Sequence, residues 1–246
     1  MSCIFCQMCS DNTCLYHSAY QYHALIEHAL RRFIKEDRYL SELDVNERSQ
    51  THKLAEYIQQ AMPEYNVDCE FNKNLAMDKV LDFTKIVDEV KTFLDGRGRK
   101  ITNDALESIL DQLRQELENP FKIYAEGDLA EPSFLQFTGD GGTSNEKYIK
   151  RVFPDIIAHL RGTSMNKVVI EAKKESNKNK KARWFDLIKL GLFTKINGQF
   201  GYDAGYFIDL PSKPILDKFE VQFSRDETVS NSNVFIVKVI SSGTEE

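Results

Sequence analysis

Two apolar runs, 153–160 and 167–173, are joined by Arg161-Gly162-Thr163-Ser164-Met165-Asn166. Gly, Ser and Asn supply turn chemistry between two β-compatible runs, so this stretch predicts a β-hairpin. With the turn centred near Ser164, the partner of Asp155 falls at about residues 171–173, which are Glu171-Ala172-Lys173. Side chains alternate along a strand. Glu171 and Lys173 therefore share one face, and Ile170 and Ala172 point the other way, toward a covering layer.

The rest of the chain supplies that layer. Leu25, Ala29 and Phe33 recur at helical spacing in a predicted helix over 20–39, and a second helix is expected over 45–62, closed by Pro63. Residues 65–71 alternate and predict a strand. Two amphipathic helices are expected over 78–94 and 103–117, separated by Asp95-Gly96-Arg97-Gly98-Arg99, so about 75–119 reads as an inserted helical hairpin. Residues 120–146 have no clear periodicity, and their Gly139–Ser144 loop lacks the Gly-Lys-Ser/Thr of a phosphate cradle. After the hairpin come a helix over 180–195, a strand over 202–210 stopped by Pro211, and a strand over 234–240. The order is that of an α/β fold around a mixed sheet. At 246 residues with 41% hydrophobic and 28% charged residues, collagen-like and disordered classes drop out, and one large domain with an insertion and a small appendage fits best.

The appendage is residues 1–18, ahead of the large domain expected over 19–246. It carries Cys3-x2-Cys6-x2-Cys9-x4-Cys14-x2-His17. Four thiols and an imidazole in this space are enough for a tetrahedral zinc site, or form a reduced tail without metal. The iron–sulfur spacing is broken after Cys9, and no proline follows Cys14. Cys69 reads as a small buried hydrophobe. No apolar run reaches bilayer length and the first residues lack a secretion leader, so a cytoplasmic protein with no membrane partner is expected.

Chemistry concentrates at the hairpin. Asp155 and Glu171 converge at one sheet edge, where a cation relieves their mutual repulsion. Hard oxygen ligands suit Mg²⁺ or Mn²⁺, and Lys173 then contacts a scissile phosphate or orients a water. Metal-assisted phosphodiester hydrolysis needs these parts. Glu89-Val90-Lys91 after Asp78 and Asp82 has the same letters in predicted helical surroundings, where residues two apart lie on different faces.

Pro154-Asp155 followed by Glu171-Ala172-Lys173 resembles the motif of the PD-(D/E)xK phosphodiesterase superfamily, the fold of many restriction and repair nucleases. The resemblance covers about half the chain and implies a restriction-endonuclease-like αβββαβ core built from the helix over 45–62 and the strands over 65–71, 153–160 and 167–173. It implies a Mg²⁺- or Mn²⁺-dependent nuclease, an endonuclease or an exonuclease, foremost on DNA in defence or genome maintenance, with Asp155 and Glu171 as metal ligands and Lys173 beside them. Glu47 shares a helical stripe with Thr51, Leu54 and Ile58. The resemblance makes it a third metal-binding carboxylate, while Asp44-x-x-Glu47 also fits a capping box. Lys189 is the helical residue that the resemblance carries toward the site.

The charge pattern points to the same partner. The chain is −6 overall, yet residues 147–195 hold thirteen Lys and Arg against four Asp and Glu, a local +9. Such a block is the footprint expected for a phosphate backbone, or a solvated basic helix. Lys180, Lys181, Arg183 and Lys189 are the candidate phosphate contacts, with Arg161 a distant phosphate contact or a surface charge. His159 lines the same cleft or is a satisfied structural histidine. A non-catalytic nuclease-fold module that binds nucleic acid or a protein partner, a homodimer, and a redox or metal sensor built on the cysteines remain alternatives.

Overall fold

In the computed structural model the described residues are 15–71, 73–74, 77–82, 149–213, 215, 218–226, 229 and 231–241. Along the chain they form α1 (Leu15–Glu36), α2 (Tyr39–Glu42), α3 (Glu47–Ala61), β1 (Asn66–Cys69), β2 (Lys73–Asn74), β3 (Met77–Asp78), β4 (Val80–Asp82) and β5 (Ile149–Arg151). Then follow β6 (Ile156–His159), β7 (Asn166–Lys174), α4 (Lys180–Phe193), β8 (Ala204–Leu210), β9 (Phe219–Asp226) and β10 (Val234–Ser241). The chain divides into two compact units, residues 1–77 with 153–246, and residues 78–152.

The first unit is an α/β layer structure around a mixed six-stranded sheet of order β1-β6-β7-β8-β10-β9. β6 pairs antiparallel with β1 and β7, β8 runs parallel to β7 and β10, and β9 closes the far edge antiparallel to β10. With residues 78–152 and the two-residue strands β2 and β3 set aside, α3, β1, β6, β7, α4 and β8 follow in the order α-β-β-β-α-β. One sheet face packs Ile156, Ala158, Val168, Ile170 and Ala172 against Ile26, Leu30 and Phe33 of α1 and Leu54 and Ile58 of α3. Each large apolar side chain contributes about 1.5–3 kcal/mol when fully buried.

Local chemistry sets the ends that matter. Asn46 caps α3 by accepting a 2.8 Å bond from the Ser49 N–H, and Asn179 caps α4 by accepting a 3.1 Å bond from the Ala182 N–H. The β6–β7 register pairs Ile156 with Ile170 and Ile157 with Val169; Asp155 immediately precedes β6, and Glu171 immediately follows Ile170 on β7. The connecting turn uses Gly162 at φ +76°, a backbone conformation that costs glycine little.

Several sequence expectations change. Residues 15–18 belong to α1 and not to a separate appendage, because the helix begins at Leu15. α1 stops at Glu36, and Tyr39 opens a separate turn of helix. Residues 78 and 80–82 are strand where a helix start is expected; β4 pairs with β5 across a long sequence separation that local periodicity does not register. β9 has no counterpart among the sequence expectations. The remaining helical readings of 83–94 and 103–117, and the Gly139–Ser144 loop, lie outside the described residues. In the second unit Val152 donates a 3.0 Å backbone bond to the Lys79 carbonyl, extending the β4–β5 pairing.

Candidate active site

Four carboxylates and two ammonium groups meet where the end of β7 passes between the first turn of α3 and the middle of α4. β7 contributes Glu171 and Lys173 from one face. The turn into β6 contributes Asp155, whose Oδ2 accepts a 2.8 Å bond from the Ala172 N–H. Glu47, the first residue of α3, accepts a 3.0 Å bond at Oε2 from the Lys174 N–H. α4 contributes Asp186 and Lys189, both buried.

The two lysines divide the carboxylates between them. Lys173 Nζ lies 3.3 Å from Glu47 Oε1, 3.3 Å from Asp186 Oδ2 and 3.9 Å from Asp155 Oδ2. Lys189 Nζ lies 2.9 Å from Glu171 Oε1 and 2.8 Å from Asp186 Oδ1. Asp186 thus bridges both ammonium groups. Glu171 Oε1 is buried and accepts no hydrogen bond, so its contact with Lys189 is chiefly Coulombic, whereas Asp186 is also hydrogen-bonded by the lysines.

Burial and charge pull in opposite directions here. Glu171 is 1% exposed, and burial, reinforced by Asp155 and Asp186, holds its carboxyl well above the usual range despite Lys189 and Lys173. Lys189 offsets this only partly because it is shared with Asp186. Burial also raises Asp155, against the pull of Lys173, Lys189 and the Ala172 N–H. Burial opposes ionisation of Asp186 too, but Lys189 and Lys173 outweigh it and hold that carboxyl low. Burial disfavours both ammonium ions, yet Asp186 and its neighbours outweigh it and keep both lysines above their ordinary range. With every group ionised the cluster carries four negative and two positive charges.

Of the expected site residues, Asp155, Glu171, Lys173 and Glu47 come together. The capping-box reading of Glu47 does not hold, because Asn46 is the cap and Asp44 stands at φ +49° with its carboxylate on Lys174. Lys189 lies within this cluster and not on a phosphate-facing rim. Arg183 is also withdrawn from the rim: its guanidinium pairs with Asp209 and sits 4.8 Å over the Phe207 ring. Lys180 is exposed, and the side chain of Lys181 lies outside the described residues. Trp184 and Leu187, at apolar positions of α4, are half-buried, while Ile188 and Leu190 are buried.

Arg161 and His159 are not part of this cluster. Both contact Asp68 of β1: His159 Nε2 lies 2.8 Å from Asp68 Oδ2, and Arg161 Nε donates to the same oxygen at 2.9 Å. The His159 ring packs 5.0 Å from Phe71. His159 is thus a satisfied structural histidine and Arg161 an ion-paired surface residue. Cys69 is half-buried, and burial pushes its thiol up to about 11. Cys3, Cys6, Cys9 and Cys14 lie outside the described residues, as does the side chain of His17.

Asp186 is absent from the residues that the sequence singles out, although a signal exists. Asp186, Lys189, Leu190 and Phe193 are buried at i, i+3, i+4 and i+7, so an acid and a base three residues apart occupy the inward stripe of α4.

Among the described residues, no group of three or more His, Cys, Asp or Glu side chains is disposed to hold a metal ion as it stands, and no helix is long and apolar enough to cross a membrane. No family model, no curated protein and no solved structure matches the chain.

Proposed function

We propose that this protein is a divalent-metal-dependent nuclease of restriction-endonuclease-like fold that hydrolyses phosphodiester bonds of DNA in a reducing, cytoplasmic setting. The observation that carries the reading is the convergence of the partly buried Asp155, Lys173 and Glu47 on the buried Glu171 at the end of β7. Ordinary surface charges on a hairpin have no reason to be buried together, because burying like charges is costly unless something is gained by it.

The donor set suits Mg²⁺ or Mn²⁺: it is all oxygen, it carries surplus negative charge, and Glu171 Oε1 is buried without a hydrogen bond. Asp155, Glu171 and Glu47 are the residues that would hold the cation, which supplies charge stabilisation and a more acidic water at the phosphate. The chain's own groups do the positioning. The Ala172 N–H fixes Asp155, and the Lys174 N–H fixes Glu47, so both carboxylates are set by the backbone of the strand that bears Glu171 and Lys173. Lys173 presents a permanent positive charge that orients a phosphate oxygen or a water.

A second reading is a nucleic-acid-binding module that does not cleave. The pairing of the carboxylates by Lys173 and Lys189 favours it, since the cluster is partly neutralised without a metal. Incubating the purified full-length chain with single- and double-stranded DNA and RNA in Mg²⁺, Mn²⁺ or EDTA separates the two. The nuclease reading expects cleavage that EDTA abolishes; binding with no cleavage in any metal favours the module.

A further inference from the structure

Lys189 has a place in the cluster that the proposed chemistry does not use. It is a long, flexible side chain on the middle of α4, 9% exposed, with its ammonium 2.9 Å from Glu171 Oε1 and 2.8 Å from Asp186 Oδ1. A cation between two buried carboxylates is what relieves their repulsion, and a lysine can serve as that cation. The two contacts differ in kind. Glu171 Oε1 accepts no hydrogen bond even with the ammonium beside it, so that contact is held by charge alone. Asp186 lies three residues away on the same helix, and its contact survives any small swing of the lysine away from β7. Lys173 is differently placed: its ammonium lies nearest Glu47 and Asp186, with Asp155 farther off.

We propose that Lys189 is a resident counter-ion of Glu171 that a divalent cation displaces, the ammonium withdrawing onto Asp186 when the metal takes the Glu171 oxygen. This rests on the metal-dependent reading above. Lys189 Nζ stands between Glu171 Oε1 and Asp186 Oδ1. Asp186 is then a positioning residue that keeps the displaced ammonium in place, and it need not be a ligand. The exchange is charge-controlled, because a doubly charged ion close to the ammonium is repelled by it in a site largely closed to water.

The test is Mn²⁺ binding, measured from the free-ion electron paramagnetic resonance signal, to the full-length wild type and to Lys189→Met, Glu171→Gln, Asp186→Asn and the double variant Lys189→Met/Asp186→Asn. Thermal unfolding in EDTA and in Mn²⁺ accompanies each titration. Lys189→Met is expected to bind Mn²⁺ about tenfold or more tightly than wild type, to melt lower in EDTA, and to gain more from Mn²⁺. Glu171→Gln is expected to lose the binding. Because Lys189→Met leaves buried carboxylates uncompensated and is at risk of not folding, the double variant, which removes the pair together, is compared with Asp186→Asn and should bind more tightly than it. Equal or weaker Mn²⁺ binding on removal of Lys189, in a protein whose binding still depends on Glu171, overturns the counter-ion and leaves the metal reading standing. Absence of Glu171-dependent Mn²⁺ binding in every form overturns both.

Discussion

Glu47 accepts a 3.0 Å hydrogen bond from the backbone N–H of Lys174, tying the first turn of α3 to the last residue of β7 across 127 positions of sequence. The same carboxylate reaches Lys173 Nζ at 3.3 Å. One side chain therefore both registers a helix against the strand and contributes charge to the cluster.

These two roles separate by substitution. Glu47→Gln keeps an acceptor for the Lys174 N–H and should change stability by no more than about 0.5 kcal/mol. Glu47→Ala removes the acceptor and should cost about 1 kcal/mol. If Glu47 belongs to the catalytic cluster, both lower metal-dependent cleavage by about tenfold to a hundredfold. Denaturant unfolding and initial rates on the same preparations check this; equal rates for Glu47→Gln and wild type would remove Glu47 from the reaction.

Glu171 should leave a signature in the pH dependence of stability. Its carboxyl is raised in the folded protein above the ordinary 4.5. Below that value both folded and unfolded chains are protonated and nothing is lost. As pH rises above it, the unfolded chain ionises first, so this group's contribution to stability falls until its folded-state titration is complete. In EDTA, Glu171→Gln should therefore gain stability relative to wild type as pH rises from about 4.5 toward neutrality. A difference between the two proteins that does not change with pH contradicts the raised carboxyl.

Arg183 and Lys180 should behave as different kinds of cation. Arg183→Ala leaves the buried Asp209 without its partner and should cost about 3 kcal/mol in stability. Neutralising Lys180 together with Lys181 should leave the melting temperature nearly unchanged. It should flatten the salt dependence of nucleic-acid binding by about one unit of slope for each phosphate no longer neutralised. Calorimetry and binding isotherms at several salt concentrations decide it. The assignment fails if Arg183→Ala unfolds like wild type.

Gly191 lies inside α4, where a Cβ would stand 2.5 Å from the Cβ and Cγ2 of Val229. No rotamer of valine moves its own Cβ, so the backbone must shift. Gly191→Ala should destabilise by about 1–3 kcal/mol despite the better helix propensity of alanine. A stabilised Gly191→Ala would mean that α4 is held less closely than described.

The parts of the fold that rest on local pattern are legible in the sequence. The hairpin follows from apolar runs and turn residues, and its parity places Glu171 and Lys173 on one face opposite Ile170 and Ala172. Periodicity reveals α3 and α4 but not their asparagine caps, since Asp44 offers a competing start. β4 reads as helix because its partner β5 is distant in sequence. β9 escapes notice although Phe219, Val221 and Phe223 alternate through it. Its surroundings, Lys218, Glu220 and Gln222, look like loop. The site is legible as far as Asp155, Glu171 and Glu47 go. Lys173 is legible with them from strand parity, and Lys189 shares the inward stripe of α4 with Leu190 and Phe193, but nothing in the spacing distinguishes Arg183, drawn onto Asp209, from the exposed Lys180. Attraction to acids on other elements decides which basic side chains turn inward, and that is a property of the assembled fold.

The central claim is that Asp155 and Glu171 act together in metal-dependent phosphodiester hydrolysis. Its most direct test is cleavage of DNA by wild type, Asp155→Asn and Glu171→Gln in Mg²⁺ and in Mn²⁺, with circular dichroism to establish that each variant is folded. The account predicts EDTA-sensitive cleavage by wild type, and a loss of about a hundredfold or more in each folded variant. Cleavage at the wild-type rate by both folded variants, or no cleavage by wild type in either metal, would contradict it.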